Sequence, residues 1–446
     1  MAALERFFLQ NGCKVGGYDL TPSHLTAQLQ AEGVVMDHTG LACNIPDEFR
    51  NPDTTLVVYT PAVPQQLDTL VWFRTQGFEI VKRAELLGLL TRDTSGLCFA
   101  GTHGKTTSSS IAAHIMNLTP GLGCNAFLGG ILRNYGSNLI LSEHSPYTVI
   151  EADEYDRSFH RLSPYVAVVT STDPDHLDIY GDEAGYLDGF SQFTSLIKPN
   201  GFLLMHTGLK LRPAVKPGVK IYTYSSDGTP ADFMALNIRR HGNHLLFDAQ
   251  LPDNTVMKDL ELGLPVKVNV DNSMAAIGAV WLTGKLQEAP LREALKTFKG
   301  SERRFELRWE ENKPGGRVII DDYAHHPREI EASIESVKQM FPGREVTVTF
   351  QPHLYSRTRD FAPQFAKALE SAHRVMLVDL YPARELPIEG IDSYTILNLI
   401  ANEKKEFVSK ENFAKHVKNS NFDILLTLGA GDLPNFIPGL IELLEK

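Results

Sequence analysis

At residues 97–111 the chain reads LCFAGTHGKTTSSSI: a short apolar run, a turn with two glycines, then a stretch that suits a helix. A strand that is apolar on both faces belongs to a parallel sheet covered by helices, so this segment alone points to α/β layers. Ile111, Ile115 and Met116 fall on one side of the helical stretch 106–116, which puts the glycine turn at a strand-to-helix junction. Backbone N–H groups and the helix dipole favour an anion there. The turn departs from the common G-x-x-x-x-G-K-[ST] pattern, because Phe99 stands where the first glycine belongs. As a phosphate loop, residues Gly101, Thr102, His103, Gly104, Lys105, Thr106 and Thr107 would cradle a nucleotide. Lys105 would then reach the terminal phosphates and the Thr106 hydroxyl would hold magnesium. A purely structural glycine turn is the other reading.

The same alternation of β-branched runs and helix-like stretches continues along all 446 residues, more than one hydrophobic core normally serves. Three groupings emerge: 1–96, 97–300 and 301–446. The first opens on a helix-like stretch and carries the strand candidates VGGYDL, TTLVVYTPA and FEIVKR. Asp19 ends the first of these, where an acid in a dinucleotide-type fold holds a ribose hydroxyl. The last grouping holds four strand candidates, RVIIDDYAHHP, VTVTFQPH, RVMLVDLYPA and DILLTLGAGD, each ending in polar or glycine residues. Open α/β sheets bind ligands beyond the carboxyl ends of their strands.

Composition narrows the functional classes. A formal net charge of −11 argues against general nucleic-acid binding, which needs a positive surface. No apolar run approaches the length of a membrane span, and MAALERFFLQNG has neither a basic leader nor a cleavage site. Cys13, Cys43, Cys98 and Cys124 show no metal spacing and read as reduced thiols of a cytoplasmic protein.

Further motifs carry chemistry. YTVIEADEYDRSF places Glu151, Asp153, Glu154 and Asp156 after an apolar strand, where either a magnesium carboxylate or a solvated acidic turn is expected. STDPDHLD brings Asp173, Asp175, His176 and Asp178 to another strand end. Oxygen donors with one imidazole suit magnesium or manganese better than zinc. Asn269 and Asn272 begin an alanine-rich helix, where they either cap it or read a base edge. Arg303 and Arg304 stand at the junction of the second and third groupings, as ordinary surface arginines or as a phosphate clamp. His325, His326, His353, Arg357 and Arg359 come to strand ends in the third, fit to receive a carboxylate or an acyl phosphate. No Ser-His-Asp or Cys-His arrangement is present, which points away from a covalent enzyme intermediate.

Taken in order, GTHGKTT, EADEYDRSF, DPDHLD, the paired asparagines, RRF, DDYAHHP and QPHLYSRTRD resemble the Mur ligases of peptidoglycan synthesis over nearly the whole chain. DDYAHHP, QPHLYSRTRD, LYPARE and LGAGD resemble the branch of that family that acts on L-alanine. The family's loop has the short glycine spacing seen here. The resemblance implies an α/β fold of three domains: a Rossmann-like domain for the UDP-sugar (1–96), a P-loop ATPase domain with a mostly parallel sheet (97–300), and a Rossmann-like domain for the amino acid and ATP (301–446). It implies ATP and magnesium as cofactors and UDP-N-acetylmuramate and L-alanine as substrates, joined through an acyl phosphate in a cytoplasmic monomer or weak homodimer. Nucleic acid and membrane are not expected partners.

Carried over by position, Lys105 and Thr106 meet the ATP phosphates and magnesium, and Glu151 and His176 hold the catalytic magnesium. Asn269 and Asn272 lie near the adenine, Arg304 at the ATP phosphates, and Asp322 near the ribose. His353 and Arg357 receive the amino acid, and Asp19 falls on the uridine side. Val268 and Leu354 depart from residues common in the family, as subfamily variation. MAALERFF resembles the stretch just after the family's first strand and glycine-rich loop, so these are expected to be missing before Met1. Two alternatives stay open: a recycling ligase that adds a whole tripeptide to the same sugar nucleotide, and an inactive truncated nucleotide-binding relative.

Overall fold

Ser95–Ala100 occupies the middle of a ten-stranded sheet, and the alternation of its side chains builds the core on both sides. Leu97 and Phe99 enter a cluster with Ile111, Ile115 and Met116 of the helix that follows. Cys98 and Ala100 enter the opposite cluster, with Phe159, Tyr186, Phe190 and Phe193. Each buried side chain of leucine or phenylalanine size contributes roughly 1.5–3 kcal/mol, so the apolar run is held from both faces.

The computed structural model describes residues 1–60, 63–241, 244–383 and 385–445, apart from the side chains of His24 and Asp178. Pro61 and Ala62 of TTLVVYTPA, Arg384 of LYPARE and the Asp178 side chain therefore lie outside the described residues. The chain divides into two compact units, Met1–Leu264 with Asn269–Lys299, and Pro265–Val268 with Gly300–Lys446.

In the first unit, Ser95–Ala100 pairs in parallel with Tyr147–Glu151 on one side and Pro164–Val169 on the other. Beyond Tyr147–Glu151 lie parallel Asn125–Leu132 and antiparallel Ser137–Ile140. Beyond Pro164–Val169 come Phe202–His206, Lys220–Ser225 and Phe233–His241, all parallel. Two antiparallel strands, His244–Gln250 and Val256–Leu262, complete that edge. The carboxyl ends of the central strands thus lead into the segments that sequence reasoning singled out, GTHGKTT, EADEYD and STDPDH.

The N-terminal strands do not join this sheet. Gly16–Tyr18 pairs with Val35–Asp37 and Leu56–Tyr59 with Glu79–Lys82, as two separate parallel pairs. The opening helix Ala2–Gln10 packs on the main sheet through Phe7 against Phe127, ring centroids 5.5 Å apart, and through Arg6 donating to Asn138 at 3.1 Å. Helix Arg83–Asp93 lies against the segment that follows the acidic motif, so closely that a Cβ on Gly88 would fall 2.3 Å from the Arg161 carbonyl oxygen.

The second unit is a six-stranded sheet. The predicted strands appear as Val318–Asp322, Ile424–Leu428, Val346–Phe350 and Arg374–Leu377, side by side and parallel. Antiparallel Glu306–Glu310 and parallel Lys405–Phe407 close the two edges. No helix among the described residues is long and apolar enough to cross a membrane.

Candidate active site

The loop after Ser95–Ala100 is tight because two glycines are required by both backbone and space. Gly101 and Gly104 take φ of 138° and 85°, a region that side chains disfavour. A Cβ at 101 would lie 2.2 Å from Thr170 Oγ1, and one at 104 would lie 2.7 Å from Asn272 Oδ1. Phe99, where the common pattern has glycine, is instead a fully buried strand residue. Helix Lys105–Leu118 starts from Gly104, which has no side chain to cap it. The His103 N–H donates to Ser171 Oγ at 2.7 Å, and Thr102 Oγ1 donates to the Asp173 carbonyl at 2.6 Å and meets the Tyr186 hydroxyl at 2.9 Å. Thr107 is half-buried in the first turn. The loop is therefore braced by the segment that follows Pro164–Val169.

The four acids of EADEYD separate into four tasks. Glu151, last in its strand, accepts from Thr106 Oγ1 at 2.8 Å. Asp153 caps its own turn, accepting from the Tyr155 N–H at 3.1 Å. Glu154 receives Lys105 Nζ at 2.8 and 3.0 Å, while the same ammonium donates to the Gly101 carbonyl at 2.6 Å. Asp156 pairs outward with Lys82 at 2.9 Å. Burial works against the Lys105 charge, but Glu154, Asp153 and Glu151 outweigh it and hold the lysine above its usual pKa. Burial pushes Glu154 up to about 7, with Lys105 pulling the other way.

Thr106 and Glu151 offer a hydroxyl and a carboxylate side by side, the hard-oxygen pair that magnesium takes while keeping several waters. His176 is placed by its own turn and by an aromatic neighbour. Its backbone N–H donates to Asp175 Oδ1 at 2.8 Å, and its ring lies edge-on to Tyr155 at 5.1 Å. Among the described residues no group of three or more His, Cys, Asp or Glu side chains converges as a metal cage. Asn269 and Asn272, both buried, brace the loop from behind. Asn272 Nδ2 donates to Asn269 Oδ1 at 3.1 Å, and Asn272 Oδ1 accepts from Ser108 Oγ at 3.2 Å.

In the second unit, the carboxyl ends of Val318–Asp322 and Val346–Phe350, the two strands that flank Ile424–Leu428, bring Asp322, His325 and His353 together with two arginines. Asp322 accepts from Ser333 Oγ at 2.7 Å, and burial lifts its pKa to about 6 against the pull of that bond and of Arg304. His325 sits 6.2 Å from His353, ring to ring, and burial lowers it to about 4, with Glu329 opposing and Arg357 and Arg304 adding to the shift. His353 stacks on Tyr381 at 5.8 Å, and Arg357 is buried at the start of helix Tyr355–Leu369. Arg304 lies over the Tyr323 ring at 4.9 Å. Arg303 turns to structure instead, donating to the carbonyls of Gly429 and Gly431 at 2.5 and 3.1 Å. His326 precedes helix Pro327–Met340, where its N–H donates to Glu329 at 3.2 Å. Arg359 does not join the cluster; it is half exposed and paired with Asp360 at 2.7 Å. Asp19 is exposed in the first unit, its side chain accepting from the Thr21 N–H at 3.0 Å.

Sequence reasoning missed several supports. Gly129 gives Glu151 its space, since a Cβ there would meet Oε2 at 2.1 Å. Gln351, fully buried, accepts from the Leu433 N–H at 2.9 Å and donates to Asp432 at 2.7 Å. Gly431 in LGAGD exists for that side chain, because a Cβ would fall 2.2 Å from Gln351 Oε1. That QPH and LGAGD both fall at strand ends was the available signal.

Comparisons with known proteins extend over the same segments. Family models described as Mur ligase family, catalytic domain, Mur ligase middle domain, and Mur ligase, glutamate ligase domain match residues 1–94, 99–280 and 303–431. A UDP-N-acetylmuramate–L-alanine ligase of Parabacteroides distasonis is 49% identical over 446 residues, 100% of this chain and 95% of the relative. The crystal structure of a UDP-N-acetylmuramate–alanine ligase from Thermotoga maritima superposes with a TM-score of 0.81 at 25% identity, covering 99% of this chain and 96% of that one. A murein peptide ligase from Psychrobacter arcticus shares the fold with a TM-score of 0.70 at 21% identity, covering 100% and 96%. With three successive domain matches and a relative at 49% identity end to end, the chain belongs to the Mur ligase family.

Proposed function

We propose that this chain joins L-alanine to the lactyl carboxylate of UDP-N-acetylmuramate at the expense of ATP, in peptidoglycan precursor synthesis. The observation that carries the reading is the braced loop, with Lys105 and the Thr106–Glu151 pair side by side, in a chain that matches L-alanine ligases over its full length.

The chemistry comes from the residue types. A lactyl carboxylate oxygen attacks the γ-phosphorus of ATP, the bond to the ADP oxygen breaks, and an acyl phosphate forms. The alanine amine then attacks the acyl carbon, loses a proton and expels inorganic phosphate. Two anions must approach in the first step, so charge neutralisation is the dominant catalytic term. Lys105 supplies a fixed ammonium at the phosphates. Thr106 and Glu151 would hold magnesium, with His176 as the further ligand; bound there, the ion would neutralise phosphate charge. Asn272 keeps the loop closed behind the phosphates through Ser108. Arg304 and Asp322 are assigned to the nucleotide, and His353 and Arg357 to the carboxylate of the incoming amino acid. The reading places the protein in the cytoplasm as a monomer or weak homodimer.

The test is release of ADP by the purified chain with each substrate omitted in turn. Release that needs UDP-N-acetylmuramate, ATP and L-alanine together is expected. Release that proceeds with a tripeptide in place of L-alanine, and not with L-alanine, would overturn the assignment.

A further inference from the structure

Lys105 and Glu154 form an ion pair at the mouth of the loop, with side chains only 13% and 2% exposed. The carboxylate is not there by accident of a flexible surface. Its own backbone carbonyl accepts from the Tyr180 hydroxyl at 2.6 Å, and the Arg157 guanidinium lies over that Tyr180 ring at 5.1 Å. Just beyond, Asp156 and Arg157 hold left-handed backbone at φ of 54° and 53°, a conformation that persists only where surroundings enforce it. The turn thus aims Glu154 at the lysine.

A lysine whose charge is cancelled by a buried carboxylate cannot also neutralise a phosphate. Placing a second anion beside an ionised, buried Glu154 is disfavoured by like-charge repulsion without water to screen it. Phosphate and carboxylate therefore compete for one ammonium group. We propose that Glu154 is a positioning residue that holds Lys105 over the loop and takes up a proton when nucleotide phosphate replaces it on the ammonium. The inference rests on the proposed nucleotide-binding role of the loop. The charged and titratable groups that face Glu154 are Lys105 from the loop helix, Asp153 from its own turn, and the Tyr180 and Tyr186 hydroxyls from the two helices packed behind.

Calorimetric titration with magnesium-ADP, in two buffers of different ionisation enthalpy, reads the proton directly. Near pH 8 the nucleotide's own phosphate is already ionised, its second pKa being about 6. Glu154, with a pKa of about 7, is largely ionised there in the free protein. The wild type should take up a proton on binding, visible as a buffer-dependent heat. Glu154→Gln should show none and should bind magnesium-ADP about tenfold tighter near pH 8, since one pKa unit of competition is removed. Buffer-independent heat in the wild type would overturn the inference, and so would undiminished uptake in the variant. The wild-type measurement decides even if the variant does not fold. Absence of any nucleotide binding would instead sink the nucleotide reading itself, and this inference with it.

Discussion

The Glu151 carboxylate fills the space that a side chain on residue 129 would need: a Cβ on Gly129 would lie 2.1 Å from Oε2 and 2.7 Å from Cδ. The two residues sit on neighbouring parallel strands, so the carboxylate reaches Thr106 only because its neighbour has no side chain. Gly129→Ala should push Glu151 off the hydroxyl. Overpacking of this kind costs typically about 1–3 kcal/mol, so the melting temperature should fall by several degrees while the protein still folds. The magnesium concentration needed for half-maximal ADP release should rise markedly. An unchanged magnesium requirement would remove Glu151 from the metal site.

Lys105→Ala should lower ATP-dependent ligation by about 10²–10³-fold, the loss expected for one oriented charge donor. It should also change stability in a pH-dependent way. Glu154 would be left buried without its cation, and its pKa, already raised to about 7, should rise further. A carboxyl whose folded pKa is raised contributes stability at low pH that is lost as pH climbs through that value. The variant should thus be near wild-type stability in urea at about pH 5 and clearly weaker at about pH 9. Equal losses at both would mean that the ion pair is not what the lysine stabilises.

The loop was legible in the sequence because its chemistry is local: two glycines, a lysine and a hydroxyl between a strand and a helix. Its partners were not, because contact depends on which strands become neighbours. Thr106 meets Glu151 across 45 residues of chain, and the residue types in EADEYD do not by themselves say which acid faces the loop; only the family resemblance singled out Glu151. Strand pairing decides it by ending the strand at Glu151, after which the turn sends Glu154 to Lys105 and Asp156 outward to Lys82. The three central parallel strands read clearly as apolar runs, whereas the edge strands over residues 233–262 did not, since their half-exposed faces mix polar and apolar residues. Three of the four N-terminal strands were found and Val35–Asp37 was not; the division into two separate pairs is a matter of neighbours again.

Asp322 and His325 shift stability in opposite directions. Asp322, raised from 3.8 to about 6, contributes stability that is lost as pH rises across that window. His325, depressed from 6.5 to about 4, contributes stability that is lost as pH falls across nearly the same window. The wild type should therefore show nearly flat stability for this pair between about pH 4 and pH 6.5. Asp322→Asn leaves the histidine alone, and urea midpoints should then rise with pH. His325→Asn leaves the carboxyl alone, and midpoints should fall with pH. Parallel pH profiles in the two variants would contradict the assignment.

Asn272 separates the two readings that its sequence left open, helix cap or base reader. Its side chain is spent within the protein: Oδ1 accepts from Ser108, Nδ2 donates to Asn269, and Gly104 packs against Oδ1. Asn272→Ala should leave the Ser108 hydroxyl and the Asn269 carbonyl oxygen buried without this partner, a loss of about 1–3 kcal/mol. It should also loosen the back of the loop at Gly104, so kcat should fall together with stability. Bracing of the loop acts on phosphates that ATP and GTP share, so their relative kcat/KM should not change. Measured side by side, a preserved ratio with lowered kcat supports bracing, while a collapse of the preference for ATP with normal stability would show that Asn272 reads the base.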